Sequence, residues 1–223
     1  MVNYFKFLKN VNVLDFQKKI FDEYNNNDIF MIYSRGSDYY NLKNKSVSNN
    51  IEENEYFHKE LKKISVAKFE IKNITNEKLY NFLIKLLDKE ILKIEKPICN
   101  ILSINSGEQI LPHIDKGRRT AINLYINSDN TSETRFYTSN KPLMEFNVHA
   151  RKDLIKQKND TKLKMELNYN NLKLEKKFKP KKGDMFMLDV TKVHSVNNIN
   201  TKKNRIIVSF NFRTNYDILS KYV

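Results

Sequence analysis

Apolar residues recur at helical spacing in two N-terminal stretches. In NVLDFQKKIFDEY they fall at positions 13, 14, 16, 20, 21 and 24, and in TNEKLYNFLIKLLDKEILKI the residues Leu79, Phe82, Leu83, Leu86 and Leu87 make a stripe. Both segments therefore predict amphipathic helices. Thr75 is placed to cap the second, with Lys78 standing where a capping box would carry Glu. SVAKFEI, 65–71, alternates as a strand does, and NKSVSNNIEENEYFHKE between the helices reads as a surface loop leading into a short helix. Residues 1–95 are thus expected to be mainly helical, with a little strand.

Past Pro97 the period shortens from helical to alternating. Strands are predicted near 98–104, 109–115, 119–127, 133–138, 144–149, 172–179, 184–190, 193–197 and 205–213. So many short strands without a long intervening helix predict a mainly β fold with N-terminal helices: a double-stranded β-helix of jelly-roll or cupin-like type, helices packed outside. The length suits one domain over 1–223, with 1–95 as a helical support region and 98–213 as the barrel core. RKDLIKQKNDTKLKMELNYN, 151–170, is the exception, and is expected to be an insertion with some helix or a mobile flap over the barrel mouth.

Composition narrows the setting. The single cysteine, Cys99, removes any disulfide framework or cysteine-rich zinc site. No secretory segment and no apolar run of membrane-spanning length stands out, so a soluble, cytoplasmic protein without a membrane partner is expected. The formal charge of +14 and pI near 9.6 invite a polyanionic partner. The chain is also saturated with Lys, Asn and Ile, however, and its basic residues lie in scattered groups such as LKLEKKFKPKKG. That bias makes nucleic acid a less favoured partner than a small-molecule or peptide substrate.

The candidate chemistry begins at LPHIDKGRRTAINLYI. Side chains two apart on a strand share a face, so His113 and Asp115 project together. His194 follows the strand GDMFMLDV, and Arg205 stands eleven residues later at the head of the last strand. Two imidazoles and one carboxylate match the facial triad of non-haem Fe(II) oxygenases, which leaves metal positions open. Arg205 could then pair bidentately with a carboxylate of a co-substrate. The other two histidines, His58 and His149, are expected to be structural or exposed.

LSINSGEQILPHID and KKGDMFMLDVTKVHSVNNINTKKNRIIVSF resemble the core of the Fe(II)/2-oxoglutarate-dependent dioxygenases, and within them most resemble the aspartyl/asparaginyl β-hydroxylase-like group. Gly107, Pro112, His113, His194, Val196, Asn198 and Arg205 fit that pattern position by position, over roughly 98–213. The resemblance implies Fe(II) held by His113, Asp115 and His194, with 2-oxoglutarate as co-substrate and its distal carboxylate on Arg205. It further implies O2 as second co-substrate, release of succinate and CO2, and hydroxylation of an amino acid or peptidyl residue. The acid at Asp115 argues against halogenation.

Strand parity adds supporting residues. Arg205, Ile207, Ser209 and Asn211 share a face, so Ser209 is expected to bond the same carboxylate as Arg205. Asn123 and Tyr125 lie opposite the apolar face of Ile122, Leu124 and Ile126, and are expected to line the co-substrate or substrate pocket. Arg118 or Arg119 is expected either to meet a substrate carboxylate or to stand as a surface charge. Two other functions compete. A nucleic-acid base oxidase or demethylase of the same superfamily suits the charge, but AlkB-like enzymes carry Asn-x-Tyr where Leu102 and Ile104 stand, and their paired Arg are closer than Arg205 and Arg213. A non-enzymatic cupin-like binding protein is the other.

Overall fold

TAINLYIN and RIIVSFNF are buried along almost their whole length. A strand achieves this only when both faces of its sheet are covered. The computed structural model describes residues 3–26, 31–33, 69–107, 109–115, 117–128, 130–140, 143–149, 160–165, 171–198 and 202–223, and shows how the covering is done. The strands are β1 (Phe5–Asn10), β2 (Met31–Tyr33), β3 (Phe69–Asn73), β4 (Ile98–Ile104), β5 (Gln109–Ile114), β6 (Thr120–Asn127), β7 (Glu133–Ser139), β8 (Met144–His149), β9 (Asp160–Met165), β10 (Leu172–Phe178), β11 (Asp184–Asp189), β12 (Val193–Asn197) and β13 (Arg205–Phe212). The helices are α1 (Leu14–Asn26), α2 (Glu77–Ile84), α3 (Lys89–Ile94) and the short α4 (Tyr216–Leu219).

One sheet runs β1-β11-β6-β13-β4-β3-β2, the other β10-β7-β12-β5-β9-β8, and the paired neighbours are antiparallel. This is the expected jelly-roll core. On the outer face of the first sheet Ile122, Leu124, Val208 and Phe210 pack against Phe16, Ile20, Leu83 and Ile91 of the helices. On its inner face Tyr125, Phe186 and Ile207 meet Phe136 of the second sheet. Each such side chain contributes about 1.5–3 kcal/mol by leaving water, so the helical layer is part of the core. The edge strands β1 and β10 are largely exposed and carry lysines, which blunt edge-to-edge pairing.

Several local expectations are corrected. The predicted second helix is two helices, because Asp88 caps α3 through Glu90 N and breaks the stripe that continues across it. Asn76, not Thr75, caps α2, accepting from Leu79 N at 3.0 Å, while Thr75 donates its N–H and hydroxyl to Glu23 of α1. The N-terminal third also supplies β1, β2 and β3 to the first sheet; β3 runs on to Asn73, two residues beyond the predicted 65–71, of which 65–68 lie outside the described residues. Within the predicted insertion, Asp160–Met165 is neither helix nor flap but strand β9, paired with β5 and β8. The loop and short helix expected around His58 lie outside the described residues. Gly183 opens β11 with φ +87°, where a Cβ would come 2.4 Å from the Val11 carbonyl oxygen, so the turn requires glycine. Among the described residues no helix is long and apolar enough to cross a membrane.

The barrel's exit is tied to the helical layer by Glu95. Its carboxylate accepts from Arg213 N at 3.0 Å, Thr214 N at 2.9 Å and Thr214 Oγ1 at 2.8 Å. Burial raises its pKa, but these bonds outweigh burial and hold it below its ordinary 4.5. A depressed folded pKa contributes stability that is present above 4.5 and lost as pH falls through the folded value. Glu95→Gln should cost about 1–3 kcal/mol at neutral pH and much less in acid. Urea unfolding at pH 7 and pH 3 measures the difference; an equal loss at both would refute the charge-based account.

Candidate metal centre

Pro112 has no N–H to give a ladder, and it stands at a bulge. Between the pairs His113–His194 and Ile110–Val196, two residues of β5 face one of β12. Below the bulge His113 and His194 are direct partners on neighbouring strands, with ring centroids 4.4 Å apart. Asp115 lies just past the end of β5, at Ile114, and its N–H bonds the Val190 carbonyl at 3.2 Å. Its carboxylate nevertheless reaches back to both imidazoles. Oδ1 is 3.5 Å from His113 Nε2 and Oδ2 is 3.8 Å from His194 Nε2. One donor atom from each of the three residues falls within a common span of 4.8 Å.

The donor set fits a divalent ion. Ligands about 2.1 Å from one metal at right angles or tetrahedral angles stand roughly 3.0–3.5 Å apart. The two carboxylate–imidazole contacts, at 3.5 and 3.8 Å, are close to that spacing, and the 4.8 Å span of the three donors would close by about an ångström around an ion. His194 Nδ1 is 2.9 Å from the Lys192 carbonyl oxygen. A carbonyl only accepts, so Nδ1 carries the proton and Nε2 keeps its lone pair for a metal. Burial, helped by His113, pushes the His194 pKa down to about 4, leaving the ring neutral at physiological pH. Burial pushes Asp115 the other way, but the Arg118 guanidinium and the two imidazoles hold its carboxyl well below the usual range. Phe136, with its ring 5.9 Å from that of His194, makes an apolar wall.

Arg118 turns inward. It donates Nε to Asp115 Oδ2 at 2.8 Å and Nη1 to Ser209 Oγ at 3.1 Å and to Asn211 Oδ1. Arg119 turns outward to Asn215. The Ser209 hydroxyl, expected to share a carboxylate with Arg205, accepts from Arg118 and donates to Asn211. Parity placed Ser209 on the right face, but the arginine that reaches it comes from the turn after β5.

Arg205 is only 1 % exposed. Its Nη1 donates to Ser132 Oγ at 2.6 Å, and its Nη2 to Tyr125 Oη at 3.0 Å and Thr134 Oγ1 at 2.6 Å. All three partners are neutral, and among the described residues Nε has no partner. Burial lowers its pKa, as expected for a cation without a counter-charge. Such a group suits an incoming carboxylate. Tyr125 thus stands with Arg205, whereas Asn123 lies apart from it, buried, with an Oδ1 that has no partner among the described residues.

Ser132 and Thr134 were not anticipated as neighbours of Arg205. Their signal is parity: in SETRF, Ser132, Thr134 and Phe136 alternate with the charged Glu133 and Arg135, which pair with each other. Of the residues that carried the resemblance, Asn198 and Gly107 staple the end of β12 to the loop after β4, through Asn198 Nδ2 to Asn105 O at 2.8 Å and Gly107 N to Asn198 O at 3.1 Å. Val196 packs with Ile104 and Ile110. Cys99 is buried, and burial pushes its thiol up to about 12, so it offers no thiolate at neutral pH.

No family model and no curated protein matches the sequence. Among solved structures the chain is similar to oxalate decarboxylase of Bacillus subtilis, at 12% identity and a TM-score of 0.34 over 68% of this chain and 27% of that one. It is also similar to E. coli ycfD, at 11% identity and a TM-score of 0.41 over 71% of this chain and 37% of that one. A third is the vicilin of Solanum melongena, at 10% identity and a TM-score of 0.35 over 69% and 30%. The chain spans roughly a quarter to just over a third of the length of these proteins. Likeness at this level leaves the chemistry to be read from the residues themselves.

Proposed function

We propose that this chain is an Fe(II)- and 2-oxoglutarate-dependent oxygenase of the aspartyl/asparaginyl β-hydroxylase-like kind, hydroxylating an amino acid or a peptidyl residue. The observation that carries this reading is the buried His113, Asp115 and His194 cluster, whose donors lie within 4.8 Å of one another. Three protein ligands on one side of an octahedral ion leave positions for a co-substrate and O2. Fe(II), 2-oxoglutarate and O2 together supply the oxidising power that converts C–H to C–OH, with release of succinate and CO2.

The chain's own residues do the rest. His113, His194 and Asp115 would hold the ion, with Lys192 O fixing the His194 tautomer and Arg118 orienting the carboxylate. Arg205, with Tyr125, Ser132 and Thr134 around it, would take the distal carboxylate of the co-substrate. Phe136 keeps water from one side of His194.

The test is succinate release by purified protein given Fe(II) and 2-oxoglutarate, with free amino acids, peptides or nucleic acids added. Stimulation by an amino acid or peptide is the expected result. Stimulation by a nucleic acid would instead favour a base oxidase. Metal binding with no turnover under any addition would favour a cupin-like binding protein and end the oxygenase reading.

A further inference from the structure

We infer that a polar row crossing the inner face of the first sheet is the subsite for the primary substrate, and that it takes a free α-amino acid. The inference rests on the oxygenase reading only for what happens to that ligand afterwards.

Four strands bring the row together. Asn73 of β3 pairs with Asn100 of β4, Asn100 with Ser209 of β13, and Ser209 with Asn123 of β6. The neighbouring level on the same face is Ile71, Leu102, Ile207 and Tyr125, whose side chains pack in apolar clusters, with the Tyr125 hydroxyl bonded to Arg205. A level of amides and a hydroxyl beside it is expensive to keep dry unless its polar atoms are matched. Two are not. Asn100 Oδ1 and Asn123 Oδ1 are buried and have no hydrogen-bond partner among the described residues. Asn123 as a whole is only 9% exposed.

The row leads to the metal centre through one guanidinium. Arg118 bonds Ser209 within the row at 3.1 Å and Asp115 of the centre at 2.8 Å. Its remaining nitrogen, Nη2, has no hydrogen-bond partner among the described residues. The vacant groups are therefore two acceptors and one cationic donor, beside the ion-binding residues. An ammonium satisfies amide oxygens and a carboxylate satisfies guanidinium. A free α-amino acid offers both on one small molecule. An internal peptidyl residue has lost both charges, and a nucleobase brings no carboxylate.

Ligand-observed NMR tests this with the whole chain, both metal-free and loaded with Zn(II). The probes are the twenty free amino acids and the N-acetyl amide of each. At least one free amino acid should bind, and its blocked form at least tenfold more weakly. Asn100→Leu and Asn123→Leu should weaken that binding at least tenfold, leave Zn(II) affinity unchanged, and raise the Tm of the ligand-free protein, since each removes a buried acceptor that lacks a protein partner. If the amides are merely structural, Tm falls and binding does not change, which overturns the inference. Failure of every free amino acid to bind also overturns it. Succinate release with peptides alone would keep the oxygenase reading and defeat the subsite; binding of an amino acid without any turnover would keep the subsite and defeat the oxygenase.

Discussion

His194→Ala, and equally His113→Ala, should abolish stoichiometric divalent-metal binding at neutral pH while the chain stays folded. Loss of a partner that only orients a ligand typically weakens a metal site by about 10–100-fold, so loss of one of three ligands should exceed that. The fold survives because the two rings sit at one end of a β5–β12 pairing whose other positions, Ile110 and Val196, belong to a separate apolar cluster. The pH dependence separates this centre from a chance grouping. Burial holds the His194 pKa at about 4, below its ordinary 6.5. A lowered histidine pKa means that the unfolded chain binds the proton more readily, so wild-type stability is full above 6.5 and falls as pH drops from there toward 4. In the folded chain, however, this imidazole needs no deprotonation to accept a metal until pH nears 4. Mn(II) or Zn(II) affinity should then lose little to His194 protonation between pH 8 and pH 5, and fall steeply below. His194→Ala should also lose less stability than wild type over the same acid range. Calorimetric titration of metal, with thermal unfolding at each pH, reads both. Wild-type metal affinity in the two alanine variants would remove these histidines from any metal role.

Much of this centre was legible because it depends on strand period and spacing. The change from helical to alternating pattern at Pro97 located most of the barrel strands within a residue or two, and His-x-Asp followed by a distant His picked out the three residues whose donors come within 4.8 Å of one another. What stayed hidden depends on which side chain arrives from another strand. Ser209 and Arg205 do share a face, but four residues apart they are about 13 Å distant along a strand, so parity could not make them neighbours. The turn after β5 brings Arg118 to Ser209, and β7 of the opposite sheet, with the residue just before it, brings Thr134 and Ser132 to Arg205. Likewise DTKLKM alternates lysines with Thr161, Leu163 and Met165, a strand pattern masked by the polar stretch around it. Its place beside His113 in β9 follows from pairing across the sheet, which no local pattern encodes.

Arg205→Lys should weaken 2-oxoglutarate binding by roughly tenfold to a hundredfold while leaving metal affinity unchanged. The substitution keeps the charge and removes the planar fork of donors, and a charge-assisted hydrogen bond is worth about 1.5–3 kcal/mol. Arg205 already spends its Nη groups on Ser132, Tyr125 and Thr134, and it is 1% exposed. The Nε–H and one Nη1 hydrogen have no partner among the described residues and remain for a carboxylate. The contact is favourable because it gives an anion to a buried cation whose partners are neutral. Lysine, with one ammonium, can satisfy the hydroxyls or a carboxylate but cannot grip the carboxylate through two parallel bonds. The distal carboxylate does not react, so the loss should appear in the apparent KM for 2-oxoglutarate, with kcat less affected. Arg205→Met supplies the complementary result. It removes the unpaired buried charge, so the ligand-free protein should unfold at the same temperature as wild type or higher, yet bind no measurable 2-oxoglutarate. If Arg205 instead only braces β13 against β7, the methionine variant would lose stability and the lysine variant would show a wild-type KM, and the carboxylate would have to bind elsewhere.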